Sequence, residues 1–159
     1  MRAAVWLLGL VCAFASVGCG GGDNRCGPAV GVVANVVDGD TIDLASGERI
    51  RYLMIDTPEL SSNDCYADEA RALNEQLVLG QEITLEYDVE CTDRFDRLLA
   101  YVYVSGNEIN RVMVERGYAC QLHIPPNGED RIDEFVLLET QAKNEERGMW
   151  GQCEVVACD

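Results

Sequence analysis

Asp40, Asp56 and Glu59 are three carboxylates beside turns, at the ends of stretches that read as strands. Such hard oxygen groups suit calcium or magnesium rather than zinc. Arg51 and Arg97 are permanent cations able to hold phosphate oxygens two at a time. Acids and arginines gathered in one site are the equipment of metal-assisted phosphoester hydrolysis. They fall in four segments: Val37-Asp38-Gly39-Asp40-Thr41; Arg51 to Glu59, reading Arg-Tyr-Leu-Met-Ile-Asp-Thr-Pro-Glu; Thr92-Asp93-Arg94-Phe95-Asp96-Arg97; and Gly148-Met149-Trp150. Each segment alone has a plainer reading. Asp-Gly-Asp is more often just a turn, Thr-Pro-Glu a strand end, and Arg97 a surface cation. Nothing in spacing alone brings them together.

The elements that must position them are legible as patterns. Val30 to Val37 is valine-rich and reads as a strand, followed by turn chemistry at Asp38-Gly39-Asp40 and a second strand from Thr41 to Leu44. Arg49 to Ile55 reads as a third strand, stopped by Thr57-Pro58. Asp68 to Leu79 has helical spacing, with Ala70, Leu73, Leu77 and Val78 on one face and Gly80 as the stop. Glu82 to Val89 alternates, with Ile83, Leu85, Tyr87 and Val89 on one side, and Leu98 to Val104 is a fifth strand. A short helix from Asn107 to Arg116 and a long one from Asp130 to Arg147 follow. This order fits a small closed barrel of the OB type with helices packed outside. On a straight strand, Arg51 and Asp56 would point to opposite faces, because they are an odd number apart. They share a site only if the chain bends before Asp56.

The 159 residues suit one domain with a real core, after a leader is set aside. Residues 1–18 read as a signal peptide: Arg2, an apolar run from Ala3 to Ala15, then small residues before Cys19. Their end resembles a lipobox, with Ser16 where leucine is usual. Cys19 is thus the expected lipidation site, residues 19–28 a flexible tether, 29–153 the domain and 154–159 a tail. The expected location is the cell envelope, anchored to a membrane, with simple secretion as the alternative. Twelve basic against 28 acidic residues give a net charge of −16, and removal of residues 1–18, with Arg2 their one charged residue, leaves −17. That sign argues against a high-affinity DNA-binding module, which needs a basic footprint. It is compatible with an enzyme whose few cations and bound metal face a phosphate. The six cysteines outside the leader region read as disulfides in an exported domain.

Taken together, the four segments resemble the thermonuclease-like family of staphylococcal nuclease, over about Val32 to Trp150. The resemblance implies a five-stranded OB-type barrel with three helices, acting as a single chain, a monomer, on nucleic acid, DNA or RNA, with Ca2+ as cofactor. By position it makes Asp40 and Asp56 calcium ligands and Thr57 the donor of a backbone carbonyl. It makes Glu59 the general base, Arg51 the arginine that holds the phosphate and Arg97 the arginine near the leaving oxygen. It also implies cleavage that leaves 3′-phosphate ends. Where the family often has tyrosines around the nucleotide, this chain has Phe95, with His123 and Pro125 near two other positions. Phe95 and His123 are therefore expected at the substrate. In the family the position of Cys120 lies beside the tryptophan that ends the last helix, here Trp150, so a Cys120–Cys153 bond is expected. Cys26 and Cys158, both in tails, would join the ends, and Cys65 would pair with Cys91. Two rival readings exist: a non-catalytic OB-fold module binding nucleic acid or protein, and a disulfide-stapled envelope structural protein. Neither explains why the acids and arginines are all present.

Overall fold

The structure, a computed structural model, describes residues 26–158. The expected signal peptide, the lipidation site Cys19 and most of the tether lie outside the described residues. Strand β1 (Val30–Val36) turns through Asp38-Gly39-Asp40 into β2 (Thr41–Leu44), which pairs antiparallel with both β1 and β3 (Arg49–Tyr52). Then come β4 (Ile55–Asp56), α1 (Ala67–Val78), β5 (Glu82–Thr92), β6 (Leu98–Val104) and β7 (Asn107–Glu108). The chain ends with α2 (Ile109–Glu115), β8 (Cys120–Gln121), α3 (Ile132–Asn144) and a single turn, α4 (Met149–Gln152). The sheet runs β3-β2-β1-β5-β6, and a parallel pairing of β3 with β6 closes it. This is the five-stranded barrel with three main helices expected from the sequence, and closure leaves its strands no long open edge.

The barrel interior is filled by Val33, Ile42, Ile50, Ile83, Leu85, Ala100 and Val102, all buried. Alternation along the strands places them there. Ala70, Leu73 and Val78 of α1, Met113 and Val114 of α2 and Phe135 of α3 bury their apolar stripes in the same core. Alternation fails at Val89, which is 68% exposed. The β5–β6 register shifts between Tyr87 and Thr92, and such an irregularity re-aims the side chains beyond it.

Several boundaries differ from expectation, three of them with a local cause. The third strand stops at Tyr52, because Met54 adopts a left-handed conformation, φ 66°, and the chain restarts as β4. This is the bend that Arg51 and Asp56 require. Asn107 and Glu108 pair with β6 before the second helix begins. The long helix closes at Asn144, since Glu146, φ 51°, has left helical geometry.

All three expected disulfides are corrected. The bonds are Cys26–Cys91, Cys65–Cys153 and Cys120–Cys158, with Cα separations of 4.9, 5.9 and 6.1 Å. Cys26 meets Cys91 because residues before β1 continue alongside β5: the Leu85 N–H donates to the Ala29 carbonyl, and the Tyr87 hydroxyl to that of Pro28. Cys65, at the head of α1, lies beside the end of α4 and takes Cys153. Cys120 then holds Cys158, so the tail is drawn onto β8 and not to the N-terminal end. Each bond is worth on the order of 4 kcal/mol by chain entropy, taken singly.

Candidate active site

The site begins with register. Thr41 stands opposite Arg51 across β2 and β3, which brings Asp40 and Arg51 to one end of the barrel. The Met54 bend then folds β4 back, so Asp56 faces the same guanidinium. Arg51 Nη2 lies 2.8 Å from Asp56 Oδ1 and 3.1 Å from Asp40 Oδ2, while Nη1 donates to the Tyr52 and Ile55 carbonyls at 2.9 and 2.7 Å. The bend and the arginine are thus one unit, since Arg51 satisfies the carbonyls that the bend exposes. Asp40 is 4% exposed and Asp56 8%. Thr57 donates both its N–H and its hydroxyl to Asp40 Oδ2, at 3.0 and 3.1 Å.

Burial pushes the Asp40 carboxyl up to about 7. The neighbouring Asp38 and Asp56 push the same way, against the opposing pull of Arg51. Two buried carboxylates therefore share a single guanidinium. Among the described residues no trio of His, Cys, Asp or Glu gathers as a ready-made metal cage. The donors fit a hard divalent cation all the same. Such ions are held by one or two carboxylates, with water and substrate oxygens completing the shell, and extra positive charge is what this acid pair lacks.

Arg51 also lines a cleft of about 480 Å³ with Arg94, Phe95, Arg97, Leu99, Ile124 and others. Arg97 is set by Asp93, whose Oδ2 accepts from Arg97 Nε at 2.7 Å and whose Oδ1 accepts the N–H groups of Phe95 and Arg97. This Asx-type turn carries Asp96 at φ 61° and holds the whole 93–97 loop. Burial raises the Asp93 carboxyl, but the hydrogen bonds from Arg97 and the two N–H groups outweigh it and leave it below its ordinary value. Phe95 is 64% exposed, with the Arg94 and Arg97 guanidinium carbons 4.7 and 5.4 Å from its ring centre.

Asp40, Asp56 and Thr57 lie behind Arg51 and do not line the cleft themselves, and two further expected residues, Glu59 and His123, do not line it either. Glu59 is exposed, on the loop that leaves Thr57. His123 is not among the cleft-lining residues, and its buried Nε2 has no hydrogen-bond partner. On an extended segment its neighbours Leu122 and Ile124 point the opposite way and reach the cleft. Ile124, 66% exposed, takes the place expected of His123.

Several positioning residues were missed by the sequence reading. Asn74 of α1 donates to the Asp38 carbonyl and accepts from the Tyr52 hydroxyl, pinning the Asp38–Asp40 turn. Asn110 of α2 donates to the Leu53 carbonyl at 2.9 Å and accepts from the Val102 N–H, fixing the Met54 bend to β6. Asn127 exchanges two bonds with the backbone of Glu90 at the cleft wall. For Asn74 and Asn110 the one signal was a polar residue on an otherwise apolar helix face, which does not name its partner; Asn127, in a loop, had none. Gly39 is a further constraint, because a Cβ there would stand 2.7 Å from the Thr57 side chain.

An OB-type barrel with a buried acid–arginine cradle beside an arginine-lined cleft sets hard oxygen donors and guanidinium groups at one end of one fold. The chain belongs to the staphylococcal nuclease family, whose family model, described as staphylococcal nuclease homologue, matches residues 49–152. It is 34% identical over 124 residues to Endonuclease YncB of Bacillus subtilis (strain 168), covering 73% of this chain and 59% of that protein. It is 36% identical to SPbeta prophage-derived endonuclease YokF of the same organism, covering 73% of this chain and 42% of that one. With Thermonuclease of Staphylococcus intermedius it shares 32% identity over 121 residues, 72% of this chain and 69% of the relative. The match thus spans less than two thirds of the two Bacillus proteins.

Proposed function

We propose that this protein is a calcium-dependent nuclease hydrolysing phosphodiester bonds of DNA, RNA or both. The observation that carries the reading is Arg51, held between Asp40 and Asp56 and also lining the cleft that holds Arg97 and Phe95. The names of the relatives, endonuclease and thermonuclease, support it.

Asp40 and Asp56 would hold Ca2+, with the Thr57 carbonyl beside them, and the ion would supply Lewis-acid charge to the phosphate. With both carboxylates so engaged, the Arg51 guanidinium is free to turn to phosphate oxygens and to the charge that builds on them in the transition state. Glu59, exposed and able to meet water, takes the proton of the attacking water. Arg97, held by Asp93, faces the leaving oxygen, and Phe95 offers a flat surface to a base. The protein's −17 charge after leader removal repels nucleic acid, so its grip on substrate is local and depends on the cation.

Purified protein incubated with single-stranded DNA and with RNA, in calcium and then in excess chelator, tests the reading. Cleavage that appears with calcium and stops with chelator is expected. Absence of cleavage with calcium across pH 6–10 would refute it.

A further inference from the structure

The cleft is mixed in charge rather than basic. Arg51, Arg94 and Arg97 line it together with Glu90 and Asp93. Asp40 and Asp56 stand behind Arg51, so four acids answer three arginines within and behind the cleft. A divalent cation on the buried pair tips that balance to positive, and only there. Acids also stand on both walls. Asp96 is exposed in the loop that carries Arg94 and Arg97, and Glu129 and Asp130 are exposed just beyond Asn127 of the other wall. Glu82 and Glu86 are exposed along β5, which leads to Glu90. Cations elsewhere do not offset these acids. Among the described residues, seven cations sit within 3.1 Å of a carboxylate oxygen, which cancels most of their field at a distance. Outside those pairs, Arg94 lines the cleft, its guanidinium carbon 4.7 Å from the centre of the Phe95 ring. The whole chain carries −16. Attraction for phosphate is thus confined to the cleft, while the long-range field is negative.

We infer that the substrate class of this site is the short single-stranded oligonucleotide, and that added salt opens the site to long strands. The inference rests on the reading of the cleft as a calcium-dependent nuclease site. At about 480 Å³ the cleft has the size of a single small ligand, on the scale of one nucleotide and its flanking phosphates. A longer strand must lay its remaining phosphates over the acids of the two walls. Each such phosphate adds repulsion with no contact to offset it. The screening length is ~20 Å at about 0.02 M salt and ~6 Å at about 0.3 M. Salt therefore removes the repulsion of the distant phosphates, while the partly buried contacts inside the cleft are screened much less. A protein that grips nucleic acid with a basic footprint behaves the other way, losing affinity as salt rises. Long-range fields of this kind change association rates ~10–10³-fold.

The test compares a trinucleotide with a single strand of about 40 nucleotides, at saturating calcium, from about 0.02 to 0.3 M sodium chloride. Rates are expressed per phosphodiester bond. At low salt the trinucleotide should be cut faster per bond. Across the range, kcat/KM on the long strand should rise ~10-fold while that on the trinucleotide changes less than about threefold. The variant Asp96→Asn/Glu129→Gln/Asp130→Asn removes wall charge without touching the cradle, and asparagine suits the positive φ at position 96. It should raise low-salt kcat/KM on the long strand ~3–10-fold, leave the trinucleotide within about twofold, and flatten the salt dependence. A long-strand kcat/KM that falls with salt overturns the inference and leaves the nuclease reading standing. An equal rise on both substrates places the salt effect in the fold or the calcium site and also overturns it. So does a triple variant that matches the parent on the long strand. No cleavage of either substrate with calcium at any salt refutes the nuclease reading, and this inference with it.

Discussion

Arg51 and Arg97 carry the same guanidinium but are held in different ways. Arg51 reaches two carbonyls and two carboxylates contributed by the turn before β2, the bend after β3 and strand β4. The Arg97 guanidinium is held by Asp93, four positions earlier in its own turn. The first arrangement exists only when the barrel has closed its register; the second is made within a single loop. A residue held by the fold carries stability along with chemistry, whereas one held by a local turn is closer to a replaceable part.

The largest effect that would break the comparison is in Arg51→Ala. It should lower kcat/KM ~10³-fold and destabilise by ~3 kcal/mol, because it strips two buried carboxylates of their cation. Urea melts with and without calcium read the second part, and calcium should restore much of the loss. A variant that loses activity with unchanged stability would mean the cradle is not held as described.

Arg97→Lys should come next. A loss of ~10–100-fold in kcat is expected, since an ammonium cannot reproduce the fork on a phosphate. The Asp93 turn keeps its backbone bonds to Phe95 and Arg97, so the melting curve should match that of the parent. Full activity in this variant would reduce Arg97 to a diffuse positive charge.

A further effect, on stability alone, is in pH. Asp40 has its folded-state pKa raised from 3.8 to about 7 by burial. Between those values the folded chain therefore binds more protons than the unfolded one, and the metal-free protein should lose stability as pH rises from about 4 to 7. Thermal melts in chelator should show this slope, and Asp40→Asn should flatten it. A metal-free stability that climbs over that window would contradict the burial of this acid.

The barrel was legible because β5 alternates over its first half, β1 is rich in valine, and the turns use Asp-Gly and Ser-Gly. The acids and arginines were legible as types. What joins them was visible only as a requirement, since Arg51 and Asp56 could not share a face without a bend. That the bend would sit at Met54 was hidden, because a methionine at positive φ gives no sequence signal. Asn74, Asn110 and Asn127 were hidden for a related reason: each serves backbone atoms far away in sequence, which no local pattern reports. The disulfides failed most plainly. Their partners follow from where the ends of α4 and the last residues are drawn, and nothing in cysteine spacing encodes that path.

The parallel pairing of β3 and β6 has one more consequence, for the order in which the molecule comes into being. Arg51 lies opposite Leu99, 48 positions later in the chain. A chain emerging from the ribosome or through a translocation channel presents both acids and Arg51 long before the strand that shuts the barrel behind them. Throughout that interval the acids and Arg51 are only an open hairpin with nothing to hold its curvature. Emergence of β6 closes the barrel around them, so the time of synthesis itself separates having the acids and Arg51 from having them held in place.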